Sequence, residues 1–192
     1  MQPKLIAHGQ PQCFATPTRP EMVLLMADSR PFELGYVWEL EGNAEDAFHF
    51  LSHIATWPSW WPQIVSVETS RPDEDDVIVG DSARMRAKSF LPYTLDWFTT
   101  VAKINPPFFI EVTSEVKLGK KYGMKGVVSF EIEQLGELLR IVNRQKMVSD
   151  KPVPGFFRPF VNWIFNFNHD FAMKRGKPGL ARAMNERARS RA

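Results

Sequence analysis

From Phe32 the chain alternates: Phe32, Leu34, Tyr36, Trp38 and Leu40 are interleaved with Glu33, Gly35, Val37 and Glu39, the period of a strand with one buried face. Asn43 then stands where a helix cap belongs, with Glu45 and Asp46 in the first turn after it, so a helix is predicted from Ala44 to about Thr56, stopped by Pro58. Further alternating segments lie near Ile64–Thr69, Val77–Lys88, Tyr93–Ile104, Phe108–Val116, Tyr122–Glu133 and Leu138–Met147. Turn clusters at 71–76, Leu91-Pro92, Asn105-Pro106-Pro107, 117–121 and Gly136 separate them. One strand, a short helix, six consecutive strands and a long terminal helix predict an α+β fold: an antiparallel sheet with its helices on one side.

The terminal helix is predicted from Gly155 to about Arg187, straight or once kinked. Phe156, Phe157, Phe160, Trp163, Phe165, Phe167 and Phe171 make its first half very apolar, yet Arg158, Asn162, Asn166, Asn168, His169 and Asp170 interrupt the run. A membrane span of about 20 nearly unbroken apolar residues is therefore excluded. At about 100° per residue, Phe157, Phe160, Ile164, Phe167 and Phe171 gather on one side, and Arg158, Asn162, Asn166, His169 and Asp170 on the other. The aromatic side is expected to lie on the sheet. On the strands, the apolar sets read Phe108, Ile110, Val112, then Tyr122, Met124, Val128, Phe130, Ile132, then Leu139, Ile141, Asn143, Gln145, Met147, so two amides share an apolar face. Tyr93, Leu95, Trp97 and Val101 form the inward set of the longest hairpin.

A length of 192 residues suits one domain. Residues 1–30 hold four prolines and little periodicity and are read as an irregular extension, with 31–188 as a single domain; Met22 and Met26 are alternative starts. A net charge of +2 gives no argument for nucleic acid as a partner, and a lone cysteine, Cys13, rules out an intramolecular disulfide. Early apolar runs are too short for a signal-peptide core, so no export and a cytoplasmic location are expected. The end of the chain is locally basic, which suits a solvated helix terminus or transient contact with an anionic membrane surface.

No phosphate-loop, dinucleotide, serine-hydrolase or paired-cysteine motif is present, and no cofactor is expected. Glu45, His49 and His53 share a helix face at metal-ligand spacing, but no second ligand cluster accompanies them, so no bound metal is expected. Arg84, Arg86 and Lys88 read as a solvated outer strand face. His169 offers a general base at a cavity mouth, although its helical phase places it in the polar stripe, which favours a structural or surface role. Asn168 falls on the apolar side, where its amide needs a partner, either neighbouring backbone or the polar end of a ligand.

Three stretches resemble the START-like SRPBCC superfamily, in particular its polyketide cyclase/dehydrase and lipid-transport branch. They are Trp57-Pro58-Ser59-Trp60-Trp61-Pro62, Leu91-Pro92-Tyr93, and Asn168-His169-Asp170 followed by Met173, Gly176 and Gly179-Leu180. The resemblance spans roughly residues 32–184. It implies a helix-grip fold, a curved antiparallel sheet wrapped around the long C-terminal helix with an apolar cavity between them. The expected lining is Trp38, Tyr93, Trp97, Met124, Phe130, Asn143, Gln145, Phe160, Trp163, Ile164, Phe167 and Asn168. Such a cavity suits binding of a hydrophobic small molecule: a lipid, polyketide or aromatic compound. The alternative is a cyclase or dehydratase acting on a poly-keto chain, with Tyr93, Tyr122 or His169 moving protons. A third reading is a lipid carrier that faces a membrane.

Overall fold

The computed structural model describes residues 27–28, 30–71, 77–118 and 122–191, with the side chains of residues 27, 28, 118 and 122 outside that description. Its strands are β1 (Ala27–Asp28), β2 (Phe32–Glu41), β3 (Ile64–Thr69), β4 (Ser82–Lys88), β5 (Thr94–Asn105), β6 (Phe109–Leu118), β7 (Tyr122–Leu135), β8 (Leu138–Ser149) and β9 (Val153–Pro154). Its helices are α1 (Ala44–Ser52), α2 (Trp57–Trp60) and α3 (Arg158–Arg191), with a 3-10 turn at Ile54–Thr56. Within the segment read as an irregular extension, β1 pairs with β9 beside the start of α3. Residues 1–26, and with them Cys13 and both alternative starts, lie outside the described residues.

Seven strands form one antiparallel sheet in the order β2-β8-β7-β6-β5-β4-β3. Hairpins join β3 through β8 in sequence, and β2 closes the far edge against β8, so Trp38 faces Ile141 and Leu34 faces Gln145. The fold is the expected α+β helix-grip, with α3 crossing the concave face. Two boundaries move. Residues 77–81 form a turn, with Gly80 at φ 97°, so the strand predicted over 77–88 begins at Ser82. Pro58 does not follow the first helix but sits in the first turn of α2, where its missing N–H has no intrahelical partner to lose. The cap forms as expected, the Asn43 side chain accepting from the Asp46 N–H at 2.8 Å.

The rotation of α3 is set in its C-terminal half. Met173, Gly176, Leu180 and Met184 recur at three- and four-residue spacing and are all buried. Two of the contacts tolerate no side chain. A Cβ on Gly179 would stand 1.7 Å from the Trp60 carbonyl oxygen, and one on Gly176 would stand 2.7 Å from the Trp61 ring. The indole N–H groups of Trp38 and Trp61 donate to the Met173 and Ala172 carbonyls at 3.0 and 2.9 Å. They meet α3 just before the turn that Pro178 weakens by lacking an N–H. The end of α3 is clamped to α1 by buried Asp46, which accepts from Arg187 at 2.9 Å and Arg191 at 2.8 Å. Part of the basic terminus read as solvated or lipid-facing is thus spent inside the protein.

Because a rigid helix carries one phase along its length, this anchoring decides which residues of the first half face the sheet. Val161, Phe165 and His169 turn inward, whereas Phe157, Phe160, Trp163 and Phe167 are 52%, 58%, 57% and 46% exposed. The expectation that the aromatic stripe packs on the sheet is overturned. A side-chain count over one half of α3 pointed the wrong way, and close glycine-to-tryptophan contact in the other half prevailed.

Gly179→Ala is expected to destabilise by about 1–3 kcal/mol despite the better helix propensity of alanine, since the Trp60 backbone must move to admit the methyl. Thermal unfolding should show a drop of several degrees, against little change for Lys177→Ala on the exposed side.

Candidate functional site

A cavity of about 140 Å³ lies between the sheet, α1, α2 and the first half of α3. Its walls are apolar over most of their area, built from Ile54, Met85, Leu95, Ile110, Val128 and Phe130 among others. Of the lining residues, Lys88 and Tyr93 are exposed, which places the mouth at the β4–β5 end. Five polar side chains interrupt the apolar wall with a buried atom that has no hydrogen-bond partner among the described residues. These atoms are Gln63 Oε1, Trp97 Nε1, Thr99 Oγ1, Ser114 Oγ and His169 Nδ1. Thr99 and Ser114 face each other across β5 and β6. Since an unmet buried polar group costs about 1–3 kcal/mol, these groups mark where a ligand would gain most.

His169 is buried, not on the surface as its phase within the aromatic stretch suggested. Asn143 is fully buried on β8, and its Nδ2 donates to the Ser129 carbonyl at 3.2 Å, which turns its Oδ1 toward the helix. That oxygen accepts from Gln145 Nε2 at 3.2 Å and stands 2.9 Å from His169 Nε2. The network therefore assigns the proton to Nε2 and leaves a lone pair on Nδ1. Asp170 Oδ1 lies 3.7 Å from Nδ1, an electrostatic neighbour beyond hydrogen-bond reach. Burial lowers the His169 pKa below its ordinary value, outweighing the pull of Asp170. The ring is neutral at pH 7 and able to accept a proton or a hydrogen bond.

Asn168 lines the cavity, and its partners are now identified. Its Oδ1 accepts from Ser89 Oγ at 2.7 Å and from the Phe90 N–H at 3.1 Å, which pins the 89–93 loop to α3 beside the mouth. Of the other expected residues, Tyr93, Trp97, Met124, Phe130 and Gln145 line the cavity. Asn143 stands behind His169 as its acceptor. Trp38 is buried but spends its N–H on α3, and half-buried Ile164 is not part of the wall. Phe160, Trp163 and Phe167 lie outside, for the reason given by the helix rotation. Tyr122 opens β7, and its side chain is not among those described. Gln63, Thr99 and Ser114 were missed, although Thr99 and Ser114 occupy inward positions in strands whose alternation was legible.

The Glu45, His49 and His53 face carries no group of three metal-ligating side chains among the described residues. His53 Nδ1 lies 2.8 Å from the His49 carbonyl, and the two rings lie tilted against each other with centroids 4.2 Å apart. Burial first, then His53, Arg187 and Arg191, push His49 down to about 4. Arg84 and Arg86 are exposed as expected, one over the Phe98 ring and the other 3.8 Å from Asp96. Among the described residues no helix is long and apolar enough to cross a membrane.

Comparison with known proteins finds no matching family model and no matching curated protein. Solved structures do match. A START superfamily protein from Mycobacterium smegmatis superposes with a TM-score of 0.56 at 17% identity, covering 83% of this chain and 99% of that one. The Zhui aromatase/cyclase of a Streptomyces species gives 0.57 at 13% identity, covering 83% and 94%. The di-domain ARO/CYC StfQ from the steffimycin biosynthetic pathway gives 0.58 at 14% identity, covering 88% of this chain and 54% of that one. At these identities the likeness establishes the START-like fold.

Two outcomes follow from the site. Asn168→Leu should destabilise by about 1–2 kcal/mol and speed hydrogen exchange at the Phe90 amide, because the donors it satisfies lose their acceptor. An unchanged Phe90 amide would show that the loop is held otherwise. The second outcome concerns pH. Folded His169 and His49 both titrate below the ordinary value of 6.5, so the unfolded chain takes up their protons first. Their contribution to stability is intact above pH 6.5 and is lost as pH falls below it. Thermal unfolding across that window should show the decline, and His169→Gln should make it shallower while leaving the share of His49.

Proposed function

We propose that the protein binds a mostly apolar small molecule that carries hydroxyl or carbonyl groups and no charge on its buried portion. The observation that carries this reading is the set of unpartnered polar atoms in an apolar wall: hydroxyls on Thr99 and Ser114, a donor on Trp97, acceptors on Gln63 and His169. Both donors and acceptors are offered, and among the described residues none of the buried lining groups is a cation or a carboxylate. A charged ligand group deep in the cavity would lose its hydration without compensation. Lys88 at the mouth is the one cation among the described lining residues, so an acidic head would have to remain there. Lipid, polyketide and aromatic ligands all fit this description. The names of two structural neighbours, both aromatase/cyclases, favour the polyketide or aromatic end of the range.

A second reading, turnover of a poly-keto chain, is favoured by one specific feature. His169 lines the cavity as a neutral imidazole whose free lone pair is held in place through Asn143, which is the state a general base requires. In that case Nδ1 would take a proton from a carbon flanked by carbonyls while the cavity holds the chain folded.

Thr99→Val separates these readings from a merely structural cavity. Replacing an unpartnered buried hydroxyl by a methyl should stabilise the ligand-free protein slightly, yet weaken a neutral hydroxylated probe such as 2-naphthol by about 1 kcal/mol. Calorimetric titration with 2-naphthol and with the charged 2-naphthoate should favour the neutral compound. Equal affinity for both, or binding indifferent to Thr99→Val, would sink the proposal. Turnover of poly-keto substrates abolished by His169→Gln without loss of binding would establish the enzyme.

A further inference from the structure

The first half of α3 presents a surface that the cavity does not explain. Phe156, Phe157, Phe160, Trp163 and Phe167 are all exposed and lie within twelve residues of each other. Phe160, Trp163 and Phe167 form one patch with Phe90, and Phe156 and Phe157 pair with each other just before α3 begins. Phe156 and Phe157 have centroids 4.2 Å apart, Phe160 stacks on Trp163 at 6.1 Å, Trp163 meets Phe167 at 5.8 Å, and Phe167 meets Phe90 of the mouth loop at 4.7 Å. Soluble surfaces rarely carry contiguous apolar area of this kind without an interaction to match.

What lies next to the patch identifies the partner. Residues seven apart on a helix fall nearly on one line, so Lys174 continues the row of Phe160 and Phe167. Lys174, Arg175 and Lys177 are exposed, and no ion pair engages them among the described residues. Arg175 instead lies 5.1 Å over the Phe171 ring. The nearest acid, Asp170, has its carboxylate beside His169. An exposed stripe that passes from tryptophan and phenylalanine directly into unpaired lysine and arginine matches the boundary of an anionic bilayer, with rings among the acyl chains and cations at the headgroups. A protein partner would need no such order of chemistry along the axis.

We infer that this face of α3, with the 89–93 loop beside it, docks the protein on an anionic lipid surface. The basic terminus expected to make such contact runs from Lys174 to Arg191; Arg187 and Arg191 are engaged by Asp46, which leaves its first cations, Lys174, Arg175 and Lys177, beside the aromatic face. Phe90 touches the patch, Asn168 holds its loop, and Tyr93 and Lys88 on the loop and its flank line the cavity mouth. A docked molecule therefore has its cavity opening next to the bilayer, and an apolar ligand passes between them with little exposure to water. Docking does not depend on what the cavity binds.

Cosedimentation of the full chain with phosphatidylcholine vesicles, with and without phosphatidylserine, tests this. Binding is expected to be stronger with phosphatidylserine and to weaken as salt is raised. Phe160→Ser combined with Trp163→Ser, both at exposed positions, should keep the native circular dichroism and melting temperature and reduce vesicle binding at least about tenfold. Lys174→Glu with Arg175→Glu should remove the preference for phosphatidylserine. The inference is overturned if the native chain binds neither vesicle, or if the aromatic variant binds as well as the native chain. It is equally overturned if the native chain sediments as a dimer that the aromatic variant dissociates, because a second copy then covers the patch. Retained 2-naphthol binding in a variant that no longer sediments with vesicles keeps docking and ligand binding distinct.

Discussion

The contact between the two glycines of α3 and the tryptophans below them governs this molecule. Gly176 and Gly179 let the helix backbone approach Trp60 and Trp61 more closely than any side chain allows, and two indole N–H groups then bind its carbonyls. Close packing of helix backbone against the Trp60 backbone and the flat Trp61 ring has one solution for rotation and height, unlike contact among flexible side chains. The W-P-S-W-W-P segment and the Gly-x-x-Gly spacing are thus two halves of one joint. Everything in the first half of α3 inherits its orientation from that joint.

Three properties descend from this orientation. His169 is carried into the cavity, where Asn143 and Gln145 receive it and set its proton on Nε2. Asn168, one residue earlier, reaches sideways to the 89–93 loop and holds it beside the cavity mouth. The large aromatic residues are carried outward to form the exposed face. Rotation of α3 by half a turn would bury that face, empty the cavity of its histidine and release the loop.

The cavity itself follows from sparing use of polar groups. A wall made only of Val, Ile, Met and Phe would hold any apolar molecule indifferently, with affinity proportional to area. Single hydroxyl, amide, indole and imidazole groups placed without partners convert that indifference into a preference for ligands that can answer them, at a cost in stability of the empty protein. The particular polar set is where this chain differs from a generic apolar container.

The sequence by itself determined the strands, the Asn43 cap and the sheet-plus-helix order, because a two-residue period and a capping side chain are local signals that tertiary contacts only reinforce. It also exposed the residues of the joint as motifs, and Trp97, Met124, Phe130 and Gln145 as inward positions, since strand alternation carries through to the side facing the cavity. The face of α3 was decided by the tertiary structure alone. Counting aromatic residues over Phe156–Phe171 favoured one side, but apolar surface has no direction of its own, and a contact of fixed geometry twenty residues later overruled it. The role of His169 was illegible for the same reason: its burial, tautomer and acceptor depend on Asn143 across the sheet, a partner that no periodicity along the helix can reveal.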